Sequence, residues 1–121
     1  MTMGISGIDH IQITVPGALE AQALDFYRRV LGLAEVEKPA DLRARGGAWF
    51  QAGVIQFHIG IDAEGSPQSK RHVCFRVPDL AQARAVVIAE GIPIGEEREA
   101  EGLRRFFIRD PAGNRVEIGQ R

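Results

Sequence analysis

A short pattern occurs twice in this chain and limits the folds open to it. The segment HIQITVP begins at His10 and the segment HVCFRVP begins at His72. Both read histidine, apolar, variable, apolar, variable, valine, proline, and this period of two predicts a strand with one apolar and one polar face. Proline then ends each strand because it has no N–H for the ladder. The chain therefore reads as two tandem copies of one unit.

The residues after each strand repeat the same order of elements. In copy one, apolar residues at helical spacing cover 18–31, and Gly32 follows where a left-handed C-terminal cap belongs. In copy two, Asp79 is a natural N-cap, and Gly91 follows the apolar stripe. Strand patterns then cover 33–37, 47–52 and 54–61 in copy one, and 92–97, 103–109 and 114–119 in copy two. Each copy is thus predicted to be β-α-β-β-β.

The predicted fold class is α+β, with two tandem βαβββ modules forming curved mixed sheets around a cleft. The first module covers 7–61, the polar and turn-rich stretch 62–71 is the linker, and the second module covers 72–119. The 121 residues suffice for one domain, 1–121, and are too few for two independent ones. A small sheet with one helix leaves its second face uncovered, and that face needs a partner sheet.

Composition excludes several classes of protein. The net charge is -1, without the basic surface that nucleic-acid binding needs. No apolar run approaches the roughly 18 residues of a membrane span, and residues 1–4 do not begin a secretory signal. The single cysteine, Cys74, cannot form an internal disulfide, which fits a reducing compartment. We expect a cytoplasmic protein with no nucleic-acid or membrane partner.

Three segments resemble the vicinal oxygen chelate superfamily, which includes glyoxalase I, fosfomycin-resistance proteins, extradiol dioxygenases and bleomycin-resistance proteins. They are DHIQI from Asp9, LDFYRRVLGL from Leu24 and FFIRDPAGNRVEI from Phe106, and the resemblance extends over 8–118. It implies a glyoxalase-like fold and, in metal-dependent members, ligands on the first and fourth strands of each module. Because one fold supports many chemistries, the reaction has to be argued from the site.

The resemblance and the repeat together predict a metal site. His10 and His72 hold equivalent places, Glu117 lies on the last strand of copy two, and Gln56 lies on the matching strand of copy one. We expect these four residues to hold one divalent ion per site, with Zn, Ni, Mn and Fe not distinguishable. The resemblance to glyoxalase I also implies a catalytic role for Glu117, as a displaced ligand that shuttles a proton. The amide of Gln56 departs from the carboxylate usual there.

Further residues are predicted to line the substrate pocket: Gln12, His58, Arg76, Phe107 and Arg109. His58 shares a strand face with Gln56 and is either a general base, a substrate contact or a solvated rim residue. The arginines, Arg105 among them, either favour an anionic substrate or are ordinary surface residues. Cys74 is predicted to be a small buried filler rather than a nucleophile.

Three functions remain open on these residues. The first is a small metal-dependent glyoxalase-like enzyme, a lyase or isomerase, acting on a small molecule that chelates the ion through two oxygens. The second is a metal-free drug-binding protein of bleomycin-resistance type, and the third is a single-unit non-haem iron dioxygenase. The ligand set favours the first. Small members of the family imply a homodimer in which copy one of one chain pairs with copy two of the other, so that sites are shared between subunits.

Overall fold

The strands of the chain form two mixed sheets, and helices cover one face of each. The computed structural model describes residues 1–63, 69–95 and 97–121. Within these ranges the elements confirm the α+β class. No helix of the described ranges has the length and apolar character needed to cross a membrane.

The first sheet is built from four strands. They are β1 (His10–Val15), β2 (Ala34–Val36), β3 (Ala48–Ala52) and β4 (Ile55–Ile61), in the order β1-β4-β3-β2. Strand β1 runs parallel to β4, and the other pairs are antiparallel. The helix predicted over 18–31 has three parts, which are a 3-10 turn (Gly17–Leu19), α1 (Glu20–Asp25) and a π-helical turn (Phe26–Val30). A 3-10 helix (Ala40–Arg45) that the sequence did not predict precedes β3.

The second sheet follows the same plan with three strands. Strands β5 (His72–Arg76), β6 (Arg104–Arg109) and β7 (Arg115–Gln120) lie in the order β5-β7-β6, and β5 runs parallel to β7. Helix α2 (Leu80–Ala89) begins after Asp79, whose Oδ1 accepts a hydrogen bond from the Gln82 N–H at 3.0 Å, so the predicted cap is confirmed. Gly32 and Gly91 have the left-handed φ values, 72° and 70°, predicted for caps.

The strand predicted over 92–97 is wrong in its described part. Residues 92–95 form no strand, although the Gly95 N–H donates to the Phe107 carbonyl and Glu97 makes an isolated bridge to Phe106. Pro93 offers no N–H to a ladder, which leaves this edge too poor in donors for regular pairing. Residue 96 lies outside the described residues, as does the stretch 64–68 of the predicted linker.

The apolar faces of both sheets and the helices share one core. Its most buried large side chains are Val15, Tyr27, Phe50, Phe57, Ile59, Phe106 and Val116. Phe57 of β4 meets Phe75 of β5 edge to face, with ring centroids 5.2 Å apart. Because alternate residues of a strand point to opposite faces, the polar face of each sheet is turned away from this core. A cavity between the sheets is nevertheless lined by Gln12 of the first sheet and by His72 and Arg115 of the second.

A buried hydrogen-bond cluster joins the two modules. The Tyr27 hydroxyl donates to Asp110 Oδ2 at 2.8 Å, and Asp110 Oδ1 accepts from the N–H groups of Ala112 and Asn114 at 2.8 and 2.9 Å. The Asn114 amide also donates to the Thr14 carbonyl at 3.0 Å. Asp110 is 4% exposed, so its charge depends on these donors. The hairpin between β6 and β7 is thereby fixed to the first module.

Replacing Tyr27 with Phe should test this link, since it removes one donor from a buried carboxylate and little volume. We expect the free energy of unfolding in urea to fall by about 1.5–3 kcal/mol, the usual contribution of a hydrogen bond to a charged group. A double-mutant cycle with Asp110→Asn should give a clear coupling energy. Additive effects of the two substitutions would contradict the link.

The same tyrosine predicts a loss of stability in alkali. Burial, and then the charge of Asp110, raise the pKa of Tyr27 well above its ordinary value. The unfolded chain then loses this proton at a lower pH than the folded chain, so stability falls above about pH 10, by at most about 1.4 kcal/mol per pH unit. Tyr27 is the single tyrosine, so tyrosinate absorbance in the folded protein reports it directly. The urea midpoint of the Tyr27→Phe variant should fall less steeply with rising pH than that of the wild type. A tyrosinate titration of the folded protein at the ordinary pKa of tyrosine would contradict the expectation.

Candidate metal centre

The polar face of the first sheet carries His10 and Gln12 on β1, Gln56 and His58 on β4, and Trp49 on β3. The register pairs His10 with Gln56, Gln12 with His58, and Trp49 with His58. These side chains are cross-strand neighbours on the face that the core does not use. The structure therefore brings together the predicted residues of the first module.

The ring of His58 lies between two other rings. It stacks on His10 with centroids 4.3 Å apart and on Trp49 with centroids 4.0 Å apart, the planes being 14° and 2° from parallel. His58 Nε2 lies 2.8 Å from Gln56 Oε1. His58 is only 4% exposed, so the solvated-rim interpretation is wrong. Burial, and then the electrostatic effect of the neighbouring His10, lower the pKa of His58, which favours its neutral form.

Both candidate histidine ligands are oriented through Nδ1. His10 Nδ1 lies 2.7 Å from Asp9 Oδ1, and His72 Nδ1 lies 2.9 Å from the Lys70 carbonyl oxygen. An acceptor at Nδ1 sets the tautomer and directs Nε2 outward, which is the usual arrangement behind a metal-ligating imidazole. Sequence reasoning missed Asp9 as an orienting group, although its position beside His10 was a usable signal.

On the second sheet, His72 and Glu117 converge. His72 Nε2 lies 3.2 Å from Glu117 Oε2, and Arg105 Nη1 donates to Glu117 Oε1 at 2.8 Å. Two donors each about 2.1 Å from a shared ion stand roughly 3 Å apart, so this spacing and donor set fit a divalent metal. Arg105 holds the carboxylate so that Oε2 faces the imidazole. Its contact with Glu117 is a role that sequence reasoning did not assign.

Phe107 forms the wall beside this pair. It is 5% exposed although it lies on the polar face, and the His72 ring meets it edge to face at 5.1 Å. The guanidinium of Arg115 lies 3.7 Å above its ring. Arg76 and Arg109 are exposed on the same face, and Arg109 Nη1 donates to the Gly113 carbonyl at 3.1 Å.

Cys74 is exposed, so its prediction as a buried filler is wrong. It is paired across the strands with Glu117. Partial burial of the sulfur, and then the charge of Glu117, raise the pKa of the thiol to about 11. The thiol therefore stays protonated near neutral pH, which disfavours it both as a nucleophile and as a thiolate ligand.

Two glycines leave room on the polar faces. A Cβ at Gly60 would lie 2.7 Å from the amide nitrogen of Gln12, and one at Gly119 would lie 2.7 Å from a methyl of Leu103 and 3.2 Å from the sulfur of Cys74. Neither glycine was singled out from the sequence. The side chains that come close to them belong to residues distant in sequence, so neighbouring residues give no signal.

The two groups of candidate ligands stay apart within one chain. His10 and Gln56 lie on the first sheet, and His72 and Glu117 lie on the second. In the part of the chain that the structure describes, no three His, Cys, Asp or Glu side chains come together as a metal site. Each chain thus carries two candidate half-sites, on faces that point away from its core.

Solved structures of known proteins resemble this chain. A putative glyoxalase family protein from Bacillus anthracis is 34% identical, with a TM-score of 0.89 over 99% of this chain and 98% of that chain. A lactoylglutathione lyase from Agrobacterium tumefaciens is 26% identical, with a TM-score of 0.75 over 96% of this chain and 94% of that chain. The fosfomycin resistance protein FosX from Listeria monocytogenes, 16% identical with a TM-score of 0.78 over 97% and 94%, shares the fold alone.

Sequence comparison identifies the family. None of the curated proteins matches the chain significantly. The profile of one family, described as the Glyoxalase/Bleomycin resistance protein/Dioxygenase superfamily, matches residues 7–118. This match covers nearly the whole chain and includes both candidate half-sites. The chain therefore belongs to the Glyoxalase/Bleomycin resistance protein/Dioxygenase superfamily.

Proposed function

We propose that this protein is a small metal-dependent enzyme of glyoxalase type, a lyase or isomerase. Its substrate would be a small molecule that binds a divalent ion through two oxygens. The observation that carries the proposal is the convergence of His72 Nε2 and Glu117 Oε2 at 3.2 Å. Arg105 and the Lys70 carbonyl orient the two side chains from behind.

Three residues would hold the ion, namely His10, His72 and Glu117. A divalent ion held by two imidazoles and a carboxylate leaves positions for substrate oxygens and polarises a carbonyl or enolate oxygen when bound. Gln56 lies beside His10, but its Oε1 already contacts His58 Nε2. It would take the fourth position only by exchanging that contact for the ion.

The chain's own residues supply the proton transfer. Arg105 holds Oε1 of Glu117, so Oε2 is the atom that would hold the ion or, when not bound to it, take a proton from a substrate carbon and return it to the neighbouring carbon. Phe107 excludes water from one side of this carboxylate. His58, between its two ring neighbours, would keep the His10 imidazole in a fixed orientation.

The placement of the half-sites supports a homodimer with shared sites. His10 and Gln56 from one subunit would face His72 and Glu117 from the other, giving two equivalent sites related by two-fold symmetry. Pairing of this kind would also cover the polar face of each sheet, which the chain's own helices leave open. Metal bound between subunits would stabilise the dimer by mass action.

His72→Ala should abolish stoichiometric metal binding because it removes one of three ligands. Cys74→Ser is the matched control, since it changes the same face and strand and should leave metal binding intact. The measurement is elemental analysis of the purified protein together with thermal shift, where saturating metal at 100 times its Kd should add about 2.7 kcal/mol of stability. Wild-type protein with no bound metal would instead favour the drug-binding alternative. Consumption of oxygen by iron-loaded protein would favour the dioxygenase.

Mixing two inactive variants should test whether the sites are shared. In a mixed dimer of His10→Ala and His72→Ala, one site lacks both histidines and the other is intact. Co-refolding should therefore restore metal binding to about half of the sites in mixed dimers, as expected from two-fold symmetry. Refolding each variant alone is the control. No recovery on mixing, or a monomer by light scattering at micromolar concentration, would contradict shared sites.

A further inference from the structure

The polar face of the second sheet has an ordered arrangement of charge. Strand register places nine residues of this face in three rows, which are His72-Arg115-Arg109, Cys74-Glu117-Phe107 and Arg76-Gly119-Arg105. Glu117 occupies the centre of the middle row. Arginines lie in both flanking rows, so the candidate ligand is surrounded by guanidinium groups on its own face.

This face is far more positive than the chain as a whole. It carries four arginines and one carboxylate, whereas the whole chain has a net charge of -1. Glu117 offsets one of these positive charges through its contact with Arg105. A surface on which one sign of charge predominates attracts ions of the opposite charge.

Two of the arginines are held beside the candidate ligand His72. Arg115 is the cross-strand partner of both His72 and Arg109, and its guanidinium carbon lies 3.7 Å from the centroid of the Phe107 ring. Arg109 is fixed at one end of its guanidinium by the Gly113 carbonyl. Planar guanidinium groups held in this way are suited to carboxylate, phosphonate or sulfonate oxygens.

The opposite wall of the proposed cavity has a different chemistry. The face of the first sheet presents amides and stacked rings, among them Gln12, Gln56, His58 and Trp49. A substrate bound between the two faces would meet several guanidinium groups on one side and mainly amides and rings on the other. An anionic group would therefore be oriented toward the second sheet.

We propose that the substrate is anionic, a small carboxylate, phosphonate or sulfonate, and that Arg109 and Arg115 bind its charged group next to the metal. The inference rests on the proposed function only in placing the substrate against this face. The arginines do not depend on metal for their positions, so anion binding can be measured in metal-free protein. Failure of the metal proposal and failure of this inference are then separate results.

The test measures the binding of phenylphosphonate and of its neutral dimethyl ester to the metal-free full chain. Binding is measured by titration of NMR chemical shifts. Phenylphosphonate should bind at least about tenfold more tightly than the ester, as expected for charge-assisted hydrogen bonds. Its affinity should also fall as ionic strength rises. Equal affinity for the two compounds would overturn the inference, whether or not the protein binds metal.

Arginine variants locate the anion. Arg109→Gln and Arg115→Gln should each weaken phenylphosphonate binding by about tenfold, the loss expected for one such hydrogen bond. Arg104→Gln is the matched control because it removes the same charge from β6 on the opposite face, where Arg104 donates to Gln120. Arg109 is exposed, so its variant should fold even if loss of the Arg115 contact with Phe107 disturbs the sheet. Equal losses in Arg104→Gln and Arg109→Gln would overturn the assignment.

Discussion

Strand alternation places every candidate ligand on the side of its sheet that the chain's own helices do not cover. Apolar residues at alternate positions turn inward, and Phe57 and Phe75 join the two apolar faces in one core. His10 and His72 occupy the alternate positions of their strands, so their side chains point to the opposite face. A chain that forms its core in this way leaves the polar face of each sheet without cover from its own helices.

The cluster around Glu117 is difficult to explain by stability alone. A carboxylate that is 4% exposed lies between an imidazole and the guanidinium of Arg105. Removing charges from water costs several kcal/mol per ion, and replacing such pairs with apolar residues is often neutral or favourable. The arrangement is therefore consistent with the proposed binding of a divalent cation between His72 and Glu117.

The repeated segments were enough to predict both sheets, both helices and the faces that carry the candidate ligands. Period-two alternation fixes which residues share a face, and Asp79, Gly32 and Gly91 act locally, so their roles could be predicted from neighbouring residues. The missing strand near Pro93 shows the limit, because apolar content predicted a strand where a donor was absent.

The candidate site was less predictable because its details depend on cross-strand register. The contact of Trp49 with His58 requires the particular pairing of β3 with β4, and the sequence gives no measure of that pairing. The contact of Arg105 with Glu117 requires the pairing of β6 with β7 in the same way. The sequence was enough to predict which residues share a face. Which of those residues are in contact depends on the strand register, which only the structure provides.

The stack of three rings has a practical consequence. Trp49 is the single tryptophan of the chain, and one imidazole separates its indole from His10. Indole emission responds to charge and to ring contacts at this range, so a change in the tilt or charge of His10 would reach the indole through His58. The protein thus contains an intrinsic fluorophore within two ring contacts of its candidate centre.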